Sequence, residues 1–236
     1  MFGNGEHRTR PLVRDRARFP DVAVRDRDAA AAVESASRGD AGGAADYGLR
    51  VPAIPIPPTL DDGRVRLRPL AESDVAAYVA AFAADGELGR LLGVERDPDE
   101  AALRGRLERI DALREEGRFL ELAIAGSETD ELLGSVTLHS LDWRNRRGEV
   151  GFFVVPDARR RGVAQRAVAL ALDWMFDGLG LDRVEMTTTP DNAAVAALAA
   201  ALGFAREGLL RARNLERGAR VDVVYFGLMR SEWRAT

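Results

Sequence analysis

The stretch VVPDARRRGVAQRAVALALDWMF, residues 154–176, sets Arg159, Arg160, Arg161 and Gly162 between an apolar run and an alanine-rich helical pattern. A helix start exposes backbone N–H groups and the positive end of the dipole, so arginines crowded there are unfavourable unless an anion joins them. A phosphate or pyrophosphate removes the conflict, because free amides and guanidinium groups both donate to it. Gly162 lets the backbone approach that anion closely, and Ala164 is small enough not to block it. On these residues alone the other reading is a solvated basic turn with Gly162 as an ordinary loop residue. Just upstream, Glu149 is the one acid in RGEVGFFVV, the segment that runs into the turn.

The elements that must position these residues follow from periodicity and punctuation. RVRLRPL alternates and predicts a strand from Arg64. AESDVAAYVAAFAAD predicts a helix starting near Ser73 or Asp74. DPDEAALRGRLERIDALREEG predicts a second, with Pro98 in its first turn and Gly117 past its end. RFLELAIAG, ELLGSVTLHSLD and RGEVGFFVVP read as three strands joined by turns. The helix behind the arginines spans about 162–178, with apolar residues at 164, 168, 171 and 175 on one core face. DRVEMTTT is a strand, DNAAVAALAAAL a helix, and GFAREGLLRAR with RVDVVYFGLMR a closing hairpin. The order is βααβββαβαββ, a mixed α/β domain over 61–236.

Residues 1–60 are expected to be a disordered tail ending in a Pro-rich linker, with a short helix near 28–36 allowed. They mix charge, Ala and Gly, and four prolines fall between Pro52 and Pro58. Nine arginines face eight acids in residues 1–60, and 25 face 30 in residues 61–236. An acidic domain argues against general nucleic-acid binding. With no cysteine, there is no disulfide, thiolate zinc site or cysteine nucleophile, and no metal is expected. No window of about 20 apolar residues predicts a membrane span, and the start has no secretory pattern, so the expected location is the cytoplasm. With no lysine in the chain, GxxxxGK[ST] cannot occur, and no GxGxxG follows a strand.

Arg159-x-x-Gly162-x-Ala164 resembles the (Arg/Gln)-x-x-Gly-x-(Gly/Ala) loop of the GNAT superfamily of N-acetyltransferases. LHSLDWRNRRGEVGFFVVPDARRRGVAQRAV is similar to the two strands, loop and helix of its RimJ/RimL group, which acetylates ribosomal-protein N-termini. DNAAVAALAAALGFAREG resembles that group's Asn-x-Ala-Ser…Gly-Phe motif. The resemblance covers about residues 63–233. It implies a central, mostly antiparallel sheet of about seven strands flanked by helices, and transfer of an acetyl group from acetyl-coenzyme A to a primary amine.

Residue by residue, the resemblance implies that the loop Arg159, Arg160, Arg161, Gly162, Val163 and Ala164 holds the coenzyme pyrophosphate. Phe153, Val154 and Val155 would bond the pantetheine arm like a neighbouring strand. Asn192 would contact the same arm, or serve as a helix N-cap beside Asp191. Glu149 would be the general base, or would pair with Arg146 or Arg147 across a turn. Two positions depart from the pattern: Val195 stands where the family has a serine, and Asn214 where the ribosomal group often has a glutamate. With no tyrosine expected near them, the acid for the leaving thiolate is left to water. His139 is read as structural or as lining the acceptor site, Trp143 and Trp174 as packing, and Thr187 to Thr189 as strand residues. Without a cysteine, transfer should be direct within a ternary complex. The acceptor is a protein N-terminus or a small-molecule amine, and a homodimer is left open. The rival readings are a non-catalytic acyl-coenzyme A-binding module and an interaction protein whose basic turn binds RNA phosphate.

Overall fold

The computed structural model describes residues 51–91, 97–216 and 218–234. The tail through residue 50, including the stretch 28–36 where the sequence allows a short helix, lies outside them. Eight strands form one sheet in the order β1-β2-β3-β4-β5-β6-β8-β7. The strands are β1 Leu60–Asp61, β2 Val65–Pro69, β3 Leu120–Gly126, β4 Leu132–Asp142, β5 Arg147–Val154, β6 Arg183–Thr188, β7 Ala205–Glu216 and β8 Ala219–Met229. The helices are α1 Val75–Ala84, α2 Leu88–Leu91, α3 Glu100–Glu115, α4 Val163–Asp177, α5 Ala193–Ala201 and α6 Arg230–Arg234. The expected order is present, with β1, α2 and α6 added as short pieces that leave little periodic trace.

Alternation decides which face each strand offers. Val136, Leu138, Val150, Phe152 and Val154 enter the main core with Ala164, Val168, Ala171, Leu172 and Met175 of α4. These include all four apolar positions of the α4 stripe, and each is at most 1% exposed. The other face carries Ala123 and Phe153 beneath α1, where Tyr78 and Phe82 meet the Phe153 ring edge-on at centroid distances of 4.9 and 6.0 Å. Both faces of the central strands are thus covered, which is why β3 is buried throughout.

At α3 the start differs from the expectation: Pro98, placed in the first turn by the sequence pattern, lies just ahead of the N-cap. Asp99 accepts from Ala102 N–H at 2.8 Å and caps α3, and Gly117 beyond α3 takes φ +70°, a conformation suited to glycine. Asp74 enters α1 with its carboxylate held by both terminal nitrogens of Arg68, at 2.7 and 2.9 Å.

The Pro-rich segment read as a linker is fastened to the domain. Ile54 is fully buried in the main core. Its N–H donates to Arg114 O at 2.8 Å, and its carbonyl accepts from Arg114 Nη1 at 3.0 Å. Proline spacing reports extended backbone, but not whether a partner lies alongside it.

Candidate active site

All strand pairs are antiparallel except β5 with β6, which run parallel. They pair only at Arg147–Glu149 with Arg183–Glu185. Beyond that point β5 continues to Val154 along β4, while β6 continues to Thr188 along β8. The sheet therefore opens into a wedge between β5 and β6, and one side of the outer half of β5 has no strand partner among the described residues.

Backbone parity fixes which residues face the wedge. Val155 N–H donates to Leu133 O at 2.9 Å, so Val155 and, by alternation, Phe153 turn their backbone groups toward β4. Phe152 and Val154 face the wedge. Of the expected trio Phe153, Val154 and Val155, only Val154 offers backbone to an extended ligand, and Phe152 joins it. A sequence shows that β5 alternates, but the parity relative to its neighbours requires the register. The Val154 carbonyl is already occupied by Arg159 Nε at 3.0 Å.

β5 leads through Pro156–Ala158 into the arginine turn and then α4. Arg160 and Gly162 have φ +59° and +76°, a left-handed pair that turns the chain into the helix. Gly162 is the N-cap of α4 and, having no side chain, caps nothing. The first α4 bond is Arg166 N–H to Gly162 O at 3.2 Å, so the amides of Gly162, Val163, Ala164 and Gln165 precede the helical ladder. The neighbouring helices α3 and α5 are capped by Asp99 and Asn192. Arg160 and Arg161 are exposed beside this end.

Arg159 departs from expectation. Its guanidinium turns inward, to Val154 O and to Asp85 Oδ2 at 2.5 Å, and is not presented to the mouth of the loop. Asn192 takes the capping role: its Oδ1 accepts from Val195 N–H at 3.2 Å. Val195 is fully buried in the main core, so this side chain packs and faces no ligand.

Glu149 sits on the α1 face at the point where the wedge begins, 5% exposed. Thr187 Oγ1 donates to Glu149 Oε1. Arg146 pairs instead with Asp182. Arg147 pairs with Glu185 and Asp142, at 3.3 and 3.5 Å. His139 is the direct cross-strand neighbour of Glu149, is 2% exposed, and has Nδ1 3.1 Å from Ser140 Oγ. Glu185, the neighbour on the other side, accepts from Arg183 Nε at 2.8 Å. Donation to the Glu207 carboxylate holds the Arg183 guanidinium above its usual range, and the same contact holds the Glu207 carboxyl below its own.

A tyrosine does stand close by. Tyr225 of β8 is directly opposite Thr187 and half-buried. Sequence reasoning placed no tyrosine there because β8 is far away in the chain and reaches this face only through its pairing with β6. Trp143 packs as expected, with Nε1 donating to Gly117 O at 2.7 Å. Farther along the face, Glu121 is buried between Tyr78 OH at 3.1 Å and Arg106 Nη2 at 2.8 Å. Beside it lies a hollow of about 450 Å³ lined by Ile56, Leu70, Arg104, Leu107, Glu108 and Glu121, among others. Among the described residues, no cluster of His, Cys, Asp and Glu could hold a metal, and no helix is long and apolar enough to cross a membrane.

Known proteins are similar to this chain in sequence and fold. The chain is 29% identical over 173 residues to the uncharacterized N-acetyltransferase YoaA of Bacillus subtilis (strain 168), covering 73% of this chain and 97% of that protein. It is 30% identical over 175 residues to the uncharacterized N-acetyltransferase p20 of Bacillus licheniformis, covering 74% and 98%. Among solved structures, Mycobacterium smegmatis RimJ in complex with CoA-disulfide superposes with a TM-score of 0.67 at 25% identity, covering 75% of this chain and 88% of that one. The ribosomal-protein-S5-alanine acetyltransferase of Vibrio fischeri shares the fold at 20% identity, with a TM-score of 0.65 over 75% and 99% of the two chains. Residues 64–205 match the acetyltransferase (GNAT) domain, and the chain belongs to that family of acyltransferase enzymes.

Proposed function

We propose that this enzyme transfers the acetyl group of acetyl-coenzyme A directly to a primary amine, on a protein N-terminus or a small molecule. The observation that carries the reading is the uncapped start of α4 at the carboxyl end of β5, beside the wedge. Unbonded amides there, with Arg160 and Arg161 alongside, suit a pyrophosphate. Phe152 and the Val154 N–H would line the pantetheine arm in the wedge. The relative RimJ holds a coenzyme A derivative, which supports the same ligand here.

Bound acetyl-coenzyme A supplies the thioester carbonyl that the amine attacks. Glu149 would accept the amine's proton, directly or through one water, with Thr187 holding one carboxylate oxygen in place. Tyr225 is the candidate donor to the departing thiolate, since it shares the face one strand beyond Thr187. At 5% exposure, the Glu149 side chain keeps little contact with bulk water.

Thiol release from acetyl-coenzyme A in the presence of a panel of amines and N-terminal peptides tests the reading. Coenzyme binding with no release toward any acceptor would instead support a non-catalytic coenzyme-binding module. Absence of coenzyme binding would overturn both.

A further inference from the structure

Asp85 follows the last turn of α1, far in sequence from the phosphate loop. Its Oδ1 accepts from Glu87 N–H at 3.0 Å, and its backbone carbonyl accepts from Leu88 N–H at 2.9 Å. The same carboxylate presents Oδ2 to Arg159 Nη2 at 2.5 Å. At the other end of that guanidinium, Nε donates to the Val154 carbonyl at 3.0 Å. The two side chains are 15% and 23% exposed, so the pair stands largely out of water. Arg159 thereby joins three elements: the end of α1, the end of β5, and the first residue of the turn into α4.

We propose that Asp85 is a remote positioning residue for the coenzyme loop. Acting through Arg159, it holds the entry to the loop in the shape that aims the α4 amides, and it does not touch the coenzyme. This rests on the reading that the loop binds the pyrophosphate. The Val154 carbonyl points into the wedge, where it would otherwise lack a partner and repel an anion. Arg159 covers it and is held there by a carboxylate that α1 keeps in one orientation. The next residue, Arg160, is left-handed at φ +59°, a conformation that a non-glycine residue keeps only when its neighbours constrain it. Fixing Arg159 on its N-terminal side supplies that constraint. The charge of Arg159 is engaged by Asp85 and is turned away from the loop mouth.

The sign of one substitution separates this role from direct phosphate binding. If Arg159 were a phosphate ligand, Asp85 would compete for it, and Asp85→Asn would free a cation and remove a nearby negative charge. Coenzyme would then bind more tightly. If Asp85 positions the loop, the same substitution loosens Arg159 and coenzyme binds more weakly, although no coenzyme contact was removed.

The test is calorimetric titration of the full chain with coenzyme A, for wild type, Asp85→Asn, Arg159→Gln and the double variant, each below its own melting temperature. Each single variant should bind about tenfold more weakly, in the usual range of coupling between linked sites. The double variant should be no worse than about twofold beyond the weaker single, since both changes break one lock. The slope of log Kd against log salt should stay at its wild-type value, because no phosphate contact is lost. If Asp85→Asn is too unstable to titrate, the salt slope of Arg159→Gln carries the test: an unchanged slope supports the lock, and a slope reduced by about one, the loss of a phosphate contact, overturns it. Equal or tighter binding by Asp85→Asn, or additive losses of about a hundredfold in the double variant, would overturn the lock while leaving the loop assignment in place. A wild-type chain that binds no coenzyme A overturns the loop assignment and the lock with it.

Discussion

At the scale of the residue, the site turns on which side chains the sheet brings to Glu149. Thr187, His139 and Glu185 surround it on one face, and the arginines next to it in sequence are drawn to Asp142, Asp182 and Glu185. Glu149→Gln keeps the shape and removes the proton acceptor, so turnover should fall roughly 10²- to 10⁴-fold with coenzyme affinity unchanged. The wild-type rate should rise with pH as the acceptor amine deprotonates, near ~8 for an α-amino group or ~10.4 for lysine. A melting curve and a single-turnover rate on one preparation decide the matter: near-normal turnover removes Glu149 from the mechanism. Thr187→Val deletes one hydrogen bond to that carboxylate, worth about 1.5–3 kcal/mol when the acceptor is charged. It should lower kcat about tenfold, and Thr187→Ser should restore most of it.

At the scale of the element, the start of α4 and the Pro-rich segment each make a distinct claim. Gly162 has φ +76° and no side chain, so the amides behind it are open to a ligand. Gly162→Asp adds strain in the left-handed region and a negative charge at the same spot, and should abolish coenzyme binding in calorimetry. Wild-type affinity in that variant would remove the phosphate from this helix end. The segment from Val51 is anchored by buried Ile54 and by both bonds to Arg114. Deletion of residues 1–50 should therefore leave the melting temperature unchanged, whereas deletion of 1–55 should lower it. Losing a buried Ile side chain costs roughly 2–5 kcal/mol, which is roughly 5–15 °C for a domain of this size. Equal melting temperatures for the two truncations would mean that the segment contributes nothing to stability. The longer deletion also leaves Ile56 unanchored at the hollow beside Glu121, so coenzyme and acceptor kinetics should be read separately in it.

At the scale of the whole molecule, acid should weaken the fold through carboxylates spread across the sheet from β1 to β7. The Ser127 hydroxyl, the Gly63 amide and Arg66 hold the Asp61 carboxyl down at about 2. Asp62, Asp142 and Glu207 are also lowered, the last by the Arg183 hydrogen bond. A carboxyl whose folded-state pKa is depressed stabilises the fold above its unfolded value and loses that contribution as pH falls through the folded value. For Asp61 that window runs from about pH 4 to about pH 2. The melting temperature should be flat from neutral pH to about 5 and fall steadily below about 4, with Asp61→Asn reducing the lower part of the drop. A melting temperature independent of pH down to 2 would contradict these contacts.

Much of this was determined by the sequence alone. The order of elements, the core stripe of α4 and the glycine stop at Gly117 were legible because 3.6- and 2-residue periods and turn chemistry act over a few neighbours. The arginine–glycine turn was legible because its motif is local too. What only the tertiary structure decided lies between strands. Whether Phe152 or Phe153 faces the wedge depends on the register of β5 against β4, and the period of two is the same in either case. Tyr225 reaches the site because β8 pairs with β6, 38 positions along the chain from Thr187. Arg159 turns from the loop mouth to Asp85, and Ile54 turns from linker to core, for one physical reason. A side chain's partner is set by whatever the fold brings within a few ångströms, and no local pattern encodes the position of a residue on another element.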